Sequence, residues 1–461
     1  MIRLFKHYIP KSLIILSIVE FMVLFFSVYL GGSIRFHSSV IDQIDPLFSQ
    51  SIMFVAAILS CMISMGLYQR HLRDGRRGMF LRIGIAFIMG FVVLSLLFYL
   101  FPDTFVGRGI VGLSFLFGFI GIISARLLYV KAVNREDIKR RILVIGAGER
   151  SEIIDNILKR RSDRHGFRVV GYVPLPHEKT TKSPNQLIQH NAILAQMVED
   201  LDVDEIVLAI TDRRKGYPVD ELLDCKMAGV EIVELQTFFE RQTGRIILDI
   251  LQPSWLIFSD GFSHGFLRDV IKRGFDIVAS FILLSASFPV MLLAMLAIYL
   301  EDRGPIFYRQ IRVGENWKLM QVMKFRSMCT DAEKSGAPQF ATANDDRVTK
   351  VGHFMRKTRI DELPQLFNVL KGEMSFVGPR PERPEFVEQF TESIPFYVER
   401  HRVKPGITGW AQICYPYGAS EKDTREKLQY DLYYVKNYSI FLDLTILFQT
   451  AEVILWGKGA R

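Results

Sequence analysis

The sequence predicts three successive architectures: an α-helical membrane bundle over residues 1–135, a parallel-sheet α/β domain over 139–250, and a second α/β domain over 268–461 with a re-entrant membrane helix at 271–300. Three observations predict this. Hydrophobic residues make up 49% of the 461-residue chain and mean hydropathy is +0.19, which a soluble protein of this length rarely reaches. Four long apolar runs crowd the N-terminal part. From Arg141 onward the pattern switches to short β-type runs alternating with helical stretches.

The four runs are Leu13–Leu30, Ile52–Leu67, Ile83–Phe101 and Ile110–Val130. A spanning helix needs about 20 apolar residues, and these are near that length. The first is too long for a signal peptide and no small-residue cleavage site follows it. Orientation follows from the basic residues. Arg3, Lys6 and Lys11 precede the first run, Arg70, Arg73 and Arg82 lie between the second and third, and Lys131, Arg135 and Lys139 follow the fourth. The other two connections carry little more than Arg35 and Arg108. Basic loops stay on the cytoplasmic side, so a membrane protein is expected with the N-terminus and everything after Arg140 in the cytoplasm. The four cysteines (Cys61, Cys225, Cys329 and Cys414) show no metal-ligand spacing and are expected as free thiols.

In the middle domain, RILVIGAGERSEIIDNILKR (Arg141–Arg160) reads as strand, glycine turn and helix. RVVGYV, VDEIVLAI and GVEIVEL supply further strands, with helical stretches between them, which predicts a Rossmann-like order. Gly146 and Gly148 fit a dinucleotide fingerprint, but Ser151 stands at the third glycine and Val173-Pro174 ends the second strand where a ribose-holding acid belongs. A structural or regulatory domain that kept the tight turn is the simpler expectation.

Ile271–Leu300 is a further apolar run. An ordinary span would export the Lys- and Arg-rich remainder, against the charge rule. Pro289 lies inside it, and proline kinks a helix. A kinked helix can enter one leaflet and return if protein covers the freed carbonyls. Net charge is +8 with clustered basic residues and no polybasic tail, which suits an anionic membrane surface or phosphorylated substrates; no nucleic acid partner is expected.

The C-terminal part holds dense polar motifs: KFRSM (Lys324–Met328), DDRVTKVG (Asp345–Gly352), RKTRIDELPQLFNVLKGEMSFVGPRPERP (Arg356–Pro384), KPGITGWAQ (Lys404–Gln412) and YDLYYVKN (Tyr430–Asn437). Asp361-Glu362 before Leu363-Pro364 reads as a helix start. Acidic first-turn residues answering the helix dipole would explain the pair structurally. Arg356, Lys357 and Arg359 upstream and Arg380 downstream suggest more, because arginines keep carboxylates ionised and can hold a diphosphate. A carboxylate can attack phosphorus, and its neighbour can hold magnesium, which takes hard oxygen ligands.

KRGFDIVAS, KFRSM, DELPQLFNVLKGEMSFVGPRP and KPGITGWAQ resemble the bacterial sugar transferase family, the monotopic phosphoglycosyl transferases, over roughly residues 268–461. The four spans and the Rossmann-like domain resemble its long exopolysaccharide members. The opening MIRLFKHYIP is similar to the branch associated with exosortase-type loci. Phe288 departs from the small residue usual before the kink proline. The resemblance implies transfer of a sugar 1-phosphate from a nucleoside diphosphate sugar to polyprenyl (undecaprenyl) phosphate through a phosphosugar intermediate on Asp361. It further implies that Glu362 and Asp361 hold Mg2+ and that Arg356 and Arg380 neutralise phosphate charge, with Lys324 and Arg326 as lesser candidates. Asp431 is a candidate helper at the metal or phosphate site. His353 and His401 are expected as surface or packed residues. Partners implied are nucleotide-sugar, polyprenyl phosphate and the bilayer, with a homodimer through the middle domain in long members. Two other classes stay open. A membrane-anchored oxidoreductase or epimerase would need a Tyr-x-x-x-Lys site and a ribose acid in the middle domain. A non-catalytic polysaccharide regulator would make Asp361 dispensable.

Overall fold

The computed structural model describes residues 2–4, 7–9, 11–36, 44–68, 75–133, 139–157, 166–176, 178–188, 193–210, 218–262, 265–330, 332, 346–415, 418 and 420–455. Of the residues used above, Lys6, Arg70, Arg73, Arg135, Arg160 and Asp345 lie outside them. Two short strands, β1 (Ile2–Leu4) and β2 (His7–Ile9), open the chain. The apolar runs form α1 (Lys11–Phe36), α2 (Ile44–Ser64), α3 (Gly75–Leu100) and α4 (Arg108–Val133). Each contains a stretch long and apolar enough to cross a membrane. The second run was expected to continue to Leu67. Instead the helix stops at Ser64, because Gly66 turns at φ +67° and the Leu67 amide bonds back to the Met62 carbonyl. Arg126 of α4 donates to the Leu67 carbonyl at 2.8 Å and pairs with Glu20 of α1 at 2.7 Å. Both charges are fully buried. Charges inside apolar helices persist only when paired in this way.

The middle region is an α/β layer. β3 (Arg140–Ile145), α5 (Glu149–Ile157), β4 (Phe167–Val173), α6 (Leu194–Asp200), β5 (Glu205–Leu208), α7 (Val219–Met227), β6 (Glu231–Glu234) and α8 (Leu235–Thr243) follow in turn. The strands form a four-stranded parallel sheet in the order β4-β3-β5-β6. Leu143, Ile145, Val173, Leu194, Val198, Ile206 and Leu222 form its core. Arg241 of α8 binds Glu231 at 2.7 Å and also pairs with the buried Glu205, closing the sheet edge.

The chain divides into two compact units, one mainly of residues 9–62 and 67–243, the other mainly of 244–461. In the second, α9 (Pro253–Phe258) leads to α10 (Phe266–Asp302), a helix of 37 residues. The hairpin β7 (Phe307–Val313) and β8 (Leu319–Phe325) follows. Then come α11 (Lys350–Thr358), α12 (Gln365–Lys371), β9 (Ser375–Val377), α13 (Pro384–Ser393), β10 (Gly406–Thr408), α14 (Trp410–Cys414), α15 (Glu421–Asn437) and α16 (Ile440–Leu455). β9 and β10 pair in parallel. Val369, Phe376, Val377, Phe390, Tyr397, Leu432, Tyr433 and Leu442 lie in one apolar core.

α10 is long and apolar enough to cross a membrane, and Pro289 lies inside it without ending it. The helix is longer than the run expected at 271–300. Its N-terminal arm is tied to the α/β body: Lys272 pairs with Asp443 at 2.6 Å, Asp276 accepts from Ser375 Oγ at 3.0 Å, and Arg273 donates to the Val369 and Leu370 carbonyls. Its C-terminal arm packs Met291, Ala294 and Ile298 against Phe325 and Met355. Between the arms, Phe281, Ile282, Phe288 and Val290 are exposed.

Candidate active site

The N-cap Thr349 opens α11 by accepting from the Gly352 amide at 2.9 Å. α11 ends at Arg359, which adopts φ +61° and reverses the chain. A left-handed arginine is costly, and here it makes the turn that carries the acidic pair. Asp361 and Glu362 lie in a 3-10 turn, Ile360–Glu362, just before Pro364 caps α12. The pair was expected at the helix start itself; it stands one turn earlier because Arg359, not Pro364, bends the chain. Asn368 of α12 holds this turn against β8, accepting from the Met323 amide at 3.1 Å and donating to the Gln321 carbonyl at 2.7 Å.

Three of the expected cations converge near the pair. Glu362 Oε1 receives Lys324 Nζ at 2.9 Å and Arg380 Nη2 at 3.3 Å, and Arg359 stands 3.7 Å away. Arg356 donates Nε to Ser327 Oγ at 2.9 Å and lines the same cavity. Arg326 is buried, with Nη2 on Asp302 and with Nε and Nη1 lacking a partner. The cavity measures about 850 Å3. Its wall holds Asp361, Glu362, Lys324, Arg326, Arg356 and Arg380 together.

The two acids are electrostatically unlike. Burial, and then the charge of Glu362, push the Asp361 carboxyl up to about 6, against the pull of Lys324, Arg359 and Arg356. Burial alone would raise Glu362 as well, but Lys324, Arg380 and Arg359 outweigh it and hold that carboxyl well below the usual range. Glu362 therefore organises cations. Asp361 keeps a buried oxygen, Oδ1, without a hydrogen-bond partner among the described residues, on the cavity wall.

The Gly378–Pro381 turn is set by close backbone approach. The Gly378 amide bonds to the Thr408 carbonyl, and the Gly406 amide to the Pro379 carbonyl, both at 2.9 Å. A Cβ on Gly378 would lie 2.8 Å from the Gly406 nitrogen, so no side chain fits there. GPRP and KPGITG, far apart in sequence, are thus two halves of one support for Arg380. Behind it, Arg400 donates to the Arg380 carbonyl at 3.0 Å and to Asp431 Oδ2 at 2.8 Å. Asp431, expected as a metal or phosphate helper, is buried in that ion pair, and both partners lie on the cavity wall.

Arg400 sits in a basic run with nothing in its local pattern to mark it as buried, so sequence reasoning passed over it. Tyr308, Gln310 and Arg312 were missed as well. They alternate along β7 and share the cavity wall, where Gln310 donates to Tyr308 at 3.0 Å and accepts from Arg312 Nε at 2.9 Å. Polar residues at every second strand position were the available signal. His353 is exposed. His401 is buried between Trp317 and Tyr397, and burial followed by the charge of Arg400 lowers its imidazole to about 3. Neither histidine stands on the cavity wall.

Residues 267–457 match the family model described as bacterial sugar transferase, and residues 64–216 match one described as CoA-binding domain. The chain is 46% identical over 240 residues to a UDP-N-acetylgalactosamine-undecaprenyl-phosphate N-acetylgalactosaminephosphotransferase of Aeromonas hydrophila, covering 52% of this chain and 56% of that protein. The match thus spans about half the length of that relative. It is 31% identical over 376 residues to a UDP-glucose:undecaprenyl-phosphate glucose-1-phosphate transferase of Xanthomonas campestris pv. campestris, covering 77% and 75% of the two chains. It is 42% identical over 197 residues to an exopolysaccharide production protein PSS of Rhizobium leguminosarum bv. phaseoli, covering 41% of this chain and 98% of that one. With the acidic pair, its cations and the glycine-built arginine turn all inside the matched segment, the chain belongs to the bacterial sugar transferase family.

Proposed function

We propose that the chain transfers a sugar 1-phosphate from a nucleoside diphosphate sugar, of the UDP-hexose kind, to undecaprenyl phosphate in the bacterial inner membrane, and so begins exopolysaccharide assembly. The observation that carries this is Asp361, a carboxylate with an unpartnered oxygen on a cavity wall lined by Lys324, Arg326, Arg356 and Arg380. Asp361 attacks the phosphorus bound to the sugar, and the bond to the nucleoside monophosphate oxygen breaks. The sugar phosphate is left as an acyl phosphate on Asp361. A polyprenyl phosphate oxygen then attacks the same phosphorus, the carboxylate leaves, and the product is a lipid diphosphate sugar. The cations stabilise charge that develops on the phosphoryl oxygens.

Magnesium fits this site, because it binds through one or two carboxylates and substrate phosphates and Asp361 Oδ1 has no hydrogen-bond partner among the described residues. Asp361, with Glu362 beside it, would hold the ion, which supplies neutralisation of the diphosphate. Glu362, already shared among three cations, sets their positions.

The re-entrant reading of α10 belongs to this proposal. A straight 37-residue helix would be about 55 Å long, yet residues of both its arms bind the same α/β body, and the middle between those contacts is exposed. Pro289 lies at that exposed middle, and such an arrangement keeps the cavity at the cytoplasmic leaflet. The parallel sheet order β4-β3-β5-β6 with a glycine turn after β3 supports a doubly wound reading of the middle region, in the flavodoxin-like strand order, a relative of the Rossmann-like order expected.

The test uses purified chain, UDP-hexose and undecaprenyl phosphate. Without acceptor, one equivalent of uridine monophosphate per chain should be released, together with a phosphosugar adduct seen by mass spectrometry. Release that needs the acceptor, with no adduct, would mean direct displacement.

A further inference from the structure

The family model matched over residues 64–216 is named for coenzyme A, and the turn after β3 has the glycines that such a ligand's diphosphate would use. In an open parallel sheet, ligands lie beyond the carboxyl ends of the strands, over the glycine turn and at the next helix's N-terminus. Here that place is filled by the chain itself. The Ala147 amide, between the two glycines, donates to Glu178 Oε2 at 2.8 Å. Gly148 has no Cβ, and the glutamate uses the space: a Cβ there would lie 2.6 Å from Glu178 Oε1 and 2.9 Å from Cδ. That Oε1 is buried with no hydrogen-bond partner.

The strap carrying Glu178 is pinned on its C-terminal side. The Thr181 amide bonds to the Ala147 carbonyl at 2.9 Å, and Thr181 Oγ1 donates to the same carbonyl at 3.2 Å. Lys182 Nζ lies 2.5 Å from Asp155 Oδ2 and 3.1 Å from the Ser151 carbonyl, and over the Tyr172 ring at 4.4 Å. Further along, the Ile188 amide bonds to the Tyr172 carbonyl at 2.9 Å. On the other flank, next to β5, Arg150 donates to the Ile210 carbonyl at 2.8 Å. The corner's cations, Arg150 and Lys182, are thus engaged by protein oxygens, while Glu149 and Glu152 add negative charge to the first turn of α5.

We propose that the Glu178 carboxylate occupies the phosphate seat of this glycine turn, so that the middle region is closed to coenzyme A and to other diphosphate-bearing ligands. A carboxylate at a helix N-terminus satisfies the same amide and the same dipole that a phosphate would. Gly148 is then read as room for Glu178, not room for a ligand. This inference does not depend on the activity proposed for the C-terminal unit.

Hydrogen exchange at the Ala147 amide, followed by mass spectrometry on the full-length protein in detergent, separates the middle region from the phosphate-binding cavity elsewhere in the chain. In the unaltered protein that amide should be protected, and neither coenzyme A nor pyrophosphate at millimolar concentration should change its exchange. Glu178→Ala should raise exchange there at least tenfold, and pyrophosphate should restore protection. Glu178→Gln, which keeps an acceptor oxygen, guards against a misfolded alanine variant: its Ala147 amide should stay protected and unresponsive. Protection that coenzyme A adds to the unaltered protein in a saturable way would overturn the proposal. So would a folded Glu178→Ala variant with unchanged exchange, since Glu178 would then not be what fills the turn.

Discussion

At the scale of single residues, the site rests on two adjacent acids with opposite tasks. Asp361→Asn should reduce turnover by roughly 10^3-fold or more, as loss of a covalent nucleophile does, and should remove the adduct; an adduct on the Asn variant would exclude Asp361 as nucleophile. The pH dependence has a definite sign. Burial and the charge of Glu362 push the Asp361 carboxyl up to about 6; with its carboxylate as the proposed nucleophile, kcat/KM should fall as pH drops through about 6 in a uridine monophosphate assay. Glu362 raises Asp361 by its charge, so Glu362→Gln should move that acid limb to lower pH while weakening the hold on Lys324 and Arg380. An unmoved limb would mean that another group sets it. Behind the site, Asp431→Asn leaves Arg400 buried without its carboxylate partner. Breaking a buried pair costs about 3–5 kcal/mol, and thermal unfolding in detergent should show it, along with slower turnover through the loosened Arg380 carbonyl.

At the scale of elements, α10 decides the topology. Single cysteines at Arg268 and Lys318 should both react only with reagents that enter the cytoplasm; labelling of the Lys318 position from outside intact cells would sink the re-entrant reading. Pro289→Leu restores a backbone donor in the middle of the helix and should favour a straight helix with lower activity. Full turnover with unchanged labelling would show that the proline does not set the bend. The anchor can be tested apart from the proposed bend. Lys272→Met strands the buried Asp443, whose Oδ2 lies 2.6 Å from Lys272 Nζ and whose Oδ1 accepts from Tyr434 at 2.7 Å. Its effect should appear as lost stability, and Asp443→Asn combined with it should recover part of that loss.

At the scale of the whole molecule, the catalytic motifs belong to one unit, and that unit begins earlier than the motifs do. Arg245 pairs with Glu426 at 2.7 Å, Trp410 Nε1 donates to the Gly244 carbonyl at 2.8 Å, and Lys436 lies 3.9 Å from the Trp255 ring centre. Ile246, Leu248 and Leu251 lie in the same core as Val369 and Tyr433. A chain starting at Gly244 should therefore fold and turn over in detergent, whereas one starting at Lys272 should lose both core and activity. Equal activity of the two would mean that residues 244–271 add nothing, and an inactive but folded longer form would mean that the first unit contributes to the site.

The four N-terminal helices and the alternating strands were legible in the amino-acid sequence, because long apolar runs and period-two runs leave the chain few other ways to bury its surface and pair its backbone. The acidic pair, its cations and the glycine-proline turn were legible too, since their types and spacing are chemical requirements that packing does not supply. What the sequence could not show was which charges are spent. Arg400 reads like any exposed basic residue, and Asp431 like a free carboxylate for a metal or phosphate site, until the fold buries one against the other. Glu178 reads as a loop acid until the strap lays it on the Ala147 amide. Pairing, burial and occupation of a turn join residues far apart in the chain, and local pattern carries no record of such contacts; only the tertiary structure decides them.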